Sequence, residues 1–316
     1  MESTMKYTLF GEYRFSQLTL GTVQLGMQYG ISNSAGVPDP SERFRMLEYA
    51  VQAGINTVDT ARQYGQSEQV LGDFLEQTAE SDSLNLVSKF KINPDVLHDP
   101  ERAWVSVRDS VAESLKALRV SQLPVCLLHK GAEPMGEVMK ILPTLLYRLK
   151  EEGLIAIGGV SAYYPEDVDA CLTETVIEAL QIPVNIFDQR LLQRGTLARL
   201  QSKLVFARSV FLQGLFFMDP AQLTGNLTGA KPYLEQLQKL AEQARMTVAQ
   251  LAFSFVRDFS AVDSIVFGAV NEMQVRQNVE LLAGPPVPPA VLADIQAFFG
   301  HVEEEIITPG LWAPAT

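Results

Sequence analysis

The sequence predicts an α/β fold, a closed (β/α)8 TIM barrel, on three observations. Short apolar runs of strand length alternate eight times with segments of helical period. The runs are apolar at consecutive rather than alternate positions, the pattern of parallel strands covered on both faces. The eight units occupy about 250 residues, the usual extent of such a barrel. An open doubly wound sheet is the rival, but it would want a G-x-G-x-x-G turn after its first strand. Gly21-Thr22-Val23-Gln24-Leu25-Gly26 has two glycines in another order.

The elements are expected in this order. Residues 1–17, with Gly11 between two aromatic runs, suit a hairpin ahead of the barrel. The first strand begins at Leu18 and ends in the Gly21–Gly26 turn; a helix spans 41–53, with Phe44, Leu47, Ala50 and Val51 on one face. The second strand, about 56–60, runs into a turn and a helix for which Ser67 is the expected N-cap. Strands at 84–89 and 124–129 alternate with helices at 101–119 and 136–151. Strands then fall at 154–161, 177–183, 204–210 and 264–268, with helices opening at Pro165, spanning 188–200, beginning near Pro232, covering 247–258 and starting at Asn271. A last helix, 290–299, is an addition to the barrel, followed by a proline-containing tail with Trp312. Pro285-Pro286-Val287-Pro288-Pro289 is too short and too near the end to divide the chain, so 1–316 reads as a single barrel domain with an N-terminal hairpin and extra helices.

A net charge of −12 argues against nucleic acid and anionic membrane surfaces, which want basic patches. No apolar run is long enough to span a bilayer and the N-terminus has no signal-peptide core. The two cysteines, Cys126 and Cys171, form neither a disulfide framework nor a metal spacing. These features suggest a cytoplasmic protein. His98 and His301 have no ligand spacing with His129, so no metal site is expected, and no G-x-S-x-G elbow is present.

Three apolar runs end in polar residues: Asp59 closes the second strand, with Tyr64 five residues on, Lys89 closes the third and His129 the fourth. In a parallel barrel that end of the strands carries the chemistry. Each residue alone has an ordinary explanation: a turn former, a surface tyrosine, a snorkelling lysine, a core histidine. Their conjunction at three successive strand ends points to catalysis. A phenol with a pKa near ~10 is a poor acid at neutral pH. Lys89, anchored by Asp59, is expected to lower it, and His129 to orient a carbonyl. That is general acid catalysis on a carbonyl receiving hydride from a cofactor.

Asp59-Thr60-Ala61-Arg62-Gln63-Tyr64-Gly65-Gln66-Ser67-Glu68 resembles the D-T-A-x-x-Y-G-x-S-E signature of the aldo-keto reductases, with Val87-Ser88-Lys89 and Leu127-Leu128-His129 in the expected order. The resemblance runs from about Leu18 to Leu282. It implies a (β/α)8 barrel that reduces carbonyl compounds with NADPH, Tyr64 as general acid, Lys89 and Asp59 as its tuning pair and His129 as substrate orienter. Gly21 and Thr22 fall at the first turn of the implied cofactor site. Ser161 in Gly159-Val160-Ser161 and Gln181 correspond to residues that hold the nicotinamide amide; the usual asparagine after the serine is Ala162. Arg208, Ser209, Phe211, Gln213 and Gly214 match the loop that wraps the pyrophosphate. Arg208 replaces an aromatic residue that stacks on the nicotinamide; its guanidinium could stack there or reach a substrate anion. Gly268, Gln274 and Asn278 match the segment that holds the adenosine end.

Two departures bear on the cofactor. Val270 stands where the family often has a base for the 2′-phosphate, and Gln277 where it has a glutamate; Arg276 lies one turn on. NADPH is expected, with NADH the second candidate. Arg208–Gly214 and Asn185–Arg190 resemble a bacterial branch linked to surface-sugar pathways, which suggests a keto-sugar or sugar nucleotide. The implied function is NAD(P)H-dependent reduction of a small aldehyde or ketone to an alcohol. The alternatives are a cofactor-binding regulatory protein with little turnover, and a barrel isomerase or lyase without nicotinamide. Substrate selection would rest on loops near 28–40, 91–100, 130–136 and 216–230 and on the tail; the sequence is silent on oligomeric state.

Overall fold

The computed structural model describes residues 5–31, 33, 35–78 and 83–312. Strands β1 (Tyr7–Phe10) and β2 (Tyr13–Ser16) pair antiparallel about Gly11, whose φ of 59° suits the tight turn. Eight further strands, all paired in parallel, form a closed barrel: β3 (Leu18–Gly21), β4 (Thr57–Asp59), β5 (Asn85–Phe90), β6 (Leu123–His129), β7 (Ile155–Ser161), β8 (Ala179–Pro183), β9 (Leu204–Arg208) and β10 (Ser264–Gly268). β10 closes the ring by pairing with both β3 and β9. Both the barrel and the hairpin are those expected from the sequence.

The hairpin plugs the end of the barrel where the strands begin. Phe15 is wholly buried among Val87, Val125, Leu127, Ile157, Leu204 and Phe206, with its ring edge-on to Phe206 at 5.9 Å. The backbone carbonyl of Arg14 accepts from the side chains of Asn56 and Asn85, which precede β4 and open β5. With that end filled, the cleft lies at the opposite rim, where the strands end.

Several boundaries differ from the periodicity. The helix expected over 188–200 is reduced to Arg190–Gln193 and a 3-10 turn, Leu197–Arg199, because Gly195 adopts φ 69° between them. The helix expected over 136–151 is two pieces, Met135–Val138 and Leu142–Glu151, with Pro143 in the first turn of the second, where a missing N–H is harmless. Ser67 is the first residue of its helix, not a cap; its hydroxyl is 2.5 Å from Thr22 Oγ1 and 3.0 Å from Thr60 Oγ1, and so ties the β3 and β4 exits together. Residues 32 and 34 of the 28–40 loop, 1–4 of the N-terminal stretch and 313–316 of the tail lie outside the described residues.

Two glycines set the approach of the first two loops. A Cβ on Gly26 would fall 1.7 Å from the Tyr64 carbonyl oxygen, and one on Gly65, whose φ is 60°, would fall 2.4 Å from the Gly26 carbonyl oxygen. The loops after β3 and β4 therefore cross backbone to backbone, which no side chain permits, and this crossing fixes Tyr64 over the barrel mouth. Among the described residues no helix is long and apolar enough to cross a membrane.

Candidate active site

The ends of β4, β5 and β6 bring the four expected residues together. Lys89 is wholly buried. Its Nζ donates to Asp59 Oδ1 at 2.6 Å, to the Thr60 carbonyl at 2.9 Å and to the Tyr64 phenol oxygen at 3.5 Å. An ammonium without partners would not be tolerated there; the carboxylate, the carbonyl and the phenol satisfy its three donors. The His129 ring stands edge-on to the Tyr64 ring, centroids 6.2 Å apart, with Nδ1 3.1 Å from Gln63 Oε1 and Nε2 3.4 Å from the Tyr163 hydroxyl.

The electrostatics correct one expectation. The Tyr64 phenol is pushed above its ordinary value rather than lowered, first by burial and then by the Asp59 carboxylate, with Arg208 opposing. Lys89 is the nearest cation, but its charge is shared with Asp59 at the shorter distance. Tyr64 thus rests as a protonated phenol. The His129 imidazole is pushed down to about 3 by burial and then by Lys89, Lys91 and Arg208, so it is neutral near pH 7.

A cavity of about 940 Å³ runs from these groups across the barrel mouth. Asp59, Tyr64 and His129 line it, while Lys89 lies beneath. All the residues expected at a cofactor line it too: Gly21, Thr22, Ser161, Gln181, Arg208, Ser209, Phe211, Gln213, Gly214, Gly268, Gln274 and Asn278. Ser161 and Gln181 are partly occupied with each other and with the acid: Ser161 Oγ donates to Gln181 Oε1 at 3.2 Å, and Gln181 Nε2 donates to Asp59 Oδ1 at 2.6 Å.

The loop after β9 carries unusual backbone. Ser209, Leu212 and Gln213 have φ of 62°, 46° and 53°, followed by Gly214 at 94°. Among the described residues the other non-glycine positive φ values, at Arg119 and Arg245, belong to helix C-caps. These values fall just before and within the kinked 3-10 segment Leu212–Phe217, and Ser209, Gln213 and Gly214 line the cavity. At the far end Asn271 caps the helix Glu272–Glu280 by accepting the Gln274 N–H at 2.9 Å. Asn278 Nδ2 donates to the Gln274 carbonyl, leaving its buried Oδ1 without a partner; buried Gln24 Oε1 is likewise free. Both residues line the cavity. Unfilled buried acceptors are rare, and these suit the donors of a dinucleotide. Gln24, Gln63, Tyr29 and Tyr163 were not singled out from the sequence. The one available signal is that Gln24 sits within the Gly21–Gly26 turn.

A proton-bearing phenol beside a buried cation suits an oxygen that gains negative charge, and the length of the cavity leaves space for a dinucleotide alongside. The class so defined is a barrel oxidoreductase dependent on nicotinamide. Residues 17–298 match the model of the Aldo/keto reductase family, and the chain belongs to that family. An uncharacterised oxidoreductase of Bacillus subtilis, YqkF, is 22% identical over 308 residues, covering 91% of this chain and 96% of the relative. A protein of Escherichia coli named NADH-specific methylglyoxal reductase is 27% identical over 272 residues, 74% of this chain and 80% of its own. An aldo-keto reductase of Bacillus halodurans, solved in its holo form, shares the fold with a TM-score of 0.77 at 21% identity, covering 96% and 99% of the two chains. The protein is an NAD(P)H-dependent reductase of carbonyl compounds.

Proposed function

We propose that Tyr64 is the proton donor in reduction of an aldehyde or ketone to an alcohol. The observation that carries this is the position of Lys89 Nζ between Asp59 Oδ1 and the Tyr64 phenol oxygen, at 2.6 and 3.5 Å. The nicotinamide, when bound, supplies hydride, and with it both electrons, to the carbonyl carbon. Tyr64 is protonated at rest and can release its proton to the carbonyl oxygen as that oxygen becomes negative. The phenolate left behind faces the Lys89 ammonium and the Arg208 guanidinium, both of which favour it. Neutral His129 directs its Nδ1–H to Gln63 Oε1 and accepts from Tyr163 at Nε2, so its ring, edge-on to Tyr64, is placed to orient the substrate beside the phenol. Ser161, Gln181 and residues 209–214 would hold the cofactor.

For the reduced cofactor the sequence leads to NADPH, with NADH second; the adenosine end supports NADH. Val270 offers no charge. Arg276 is spent on Glu272 at 3.0 Å and on the Tyr49 ring at 4.3 Å. Glu42 Oε1 accepts the Glu272 N–H at 2.7 Å, so a carboxylate already sits where the helix N-terminus would draw a phosphate. The two cysteines are free and buried, which suits a cytoplasmic setting. A regulatory role with little turnover would not need a phenol in contact with a buried ammonium, so turnover is the better reading.

The test is Tyr64→Phe. Reduction, followed as loss of nicotinamide absorbance over a panel of aldehydes, ketones and keto-sugars, should fall by roughly 10²–10⁴. Cofactor affinity by fluorescence titration should hold. A Phe variant as active as the parent removes Tyr64 from this role.

A further inference from the structure

Arg208 is a cation in the cavity with no anion of its own. Its Nη2 donates to the Ala162 carbonyl at 2.9 Å, its Nη1 to Ser209 Oγ at 3.2 Å, and its guanidinium lies 4.3 Å from the Tyr163 ring centroid. No carboxylate lies within 4.0 Å of it among the described residues, whereas Arg190, which also serves the β7–β8 side, is paired with Asp188 through Nη2 at 2.7 Å and Nε at 2.8 Å. A guanidinium has five donors, and the two neutral acceptors named leave others open.

The charges around it do not cancel. Asp59 is matched by Lys89 at 2.6 Å, and the His129 imidazole is neutral near pH 7. Arg208 is therefore a cation lining the cavity that no carboxylate pairs, inside a chain whose net charge is −12; the cavity's other lining carboxylate, Glu280, lies on the helix of Asn278. Besides its bond to Ser209 in its own loop, it reaches across to Ala162 at the end of β7 and covers Tyr163, whose hydroxyl touches His129. That is the proton-donor end of the cavity, opposite the free acceptors of Gln24 and Asn278.

We infer that Arg208 anchors an anionic group, carboxylate or phosphate, on the carbonyl substrate, so that the preferred substrate is an oxo acid or a phosphorylated oxo compound. The inference rests on the reductase reading above. A bidentate guanidinium suits both anions, and a planar cation held by a carbonyl and a ring is preorganised, so little rotamer freedom is lost when the anion arrives.

The experiment compares matched pairs: succinic semialdehyde with butanal, and glyceraldehyde 3-phosphate with glyceraldehyde. The readout is the ratio of kcat/KM, charged over neutral, in which any loss common to both members drops out. The parent should favour at least one charged member by about tenfold or more, and Arg208→Met should bring that ratio close to one, with Arg208→Lys between them. The pair that responds distinguishes carboxylate from phosphate. Independently, succinate or inorganic phosphate titrated calorimetrically into the NADH-loaded protein should bind, and about tenfold more weakly to Arg208→Met. Reduction of the neutral members without preference for the charged ones overturns the inference and leaves the reductase reading standing. An unchanged ratio with weakened NADH binding in Arg208→Met also overturns it, by assigning the arginine to the cofactor. If none of the compounds is reduced, the titration decides: no anion binding refutes it.

Discussion

Gln181 and Asp59 are joined directly: the amide Nε2 of Gln181 donates to Asp59 Oδ1 at 2.6 Å across the barrel mouth. The same oxygen accepts from Lys89 at 2.6 Å, and the Gln181 Oε1 accepts from Ser161 at 3.2 Å. A residue expected to serve the nicotinamide amide is therefore also bonded to the carboxylate that anchors the lysine. Any shift of Ser161 or Gln181 on cofactor binding would be felt at Asp59 and Lys89.

This bond makes Gln181→Leu and Gln181→Glu distinguishable. Leucine removes a donor from a buried carboxylate, which should lower stability by about 1–3 kcal/mol in urea unfolding and reduce kcat. Glutamate puts a second carboxyl group against Asp59 and should be worse at pH 7 but recover as the pH falls, since a protonated carboxyl can again donate. Unfolding curves at pH 7 that coincide with the parent's for both variants would mean that the bond contributes nothing.

His129 sets a pH dependence of stability. Its imidazole is held down to about 3 in the folded protein, against 6.5 for a free imidazole. Between those values the unfolded chain binds the extra proton and the folded chain does not. The contribution is therefore complete above pH 6.5 and is lost as the pH falls toward 3. From pH 6.5 to 5 it amounts to at most ~2 kcal/mol. Urea midpoints should drop between pH 7 and 5, and drop less for His129→Gln. An equal drop in both proteins would show that the imidazole is freely protonated in the fold.

Much of this site could be read in the chain because its residues end strands. Asp59, Lys89 and His129 interrupt apolar runs, and a run that must be buried on both faces can end in a charge only at the rim. The Asp59–Glu68 motif then places Tyr64. Other features depend on distances that spacing does not carry. The direction of the Tyr64 shift is a balance of burial against neighbouring charges, and the pairing of Lys89 with Asp59 leaves burial ahead. Tyr163 and Gln63 acquire meaning only because two loops meet over His129. Ser67 looks like a cap in one dimension, but it is claimed by Thr22 and Thr60 from two other segments. The helix expected at 188–200 failed because one glycine, Gly195, outweighs the apolar period around it.

The preference for NADH proposed above can be tested at the N-terminus of the helix Glu272–Glu280. A 2′-phosphate there would compete for the Glu272 N–H with the carboxylate of Glu42, which is paired with Arg45 and whose pKa is lowered first by Arg45 and then by that N–H. NADH lacks that phosphate and avoids the competition. Fluorescence titration should therefore give a smaller Kd for NADH than for NADPH, with the gap widening as ionic strength falls. Val270→Arg supplies a phosphate partner and should tighten NADPH by about tenfold while moving NADH little. Glu42→Gln removes the competing carboxylate and releases its partner Arg45 for a phosphate, and so should narrow the gap from the other side. Tighter binding of NADPH than NADH to the parent protein would contradict this account and would return the choice to the phosphate-bearing cofactor that the sequence first suggested.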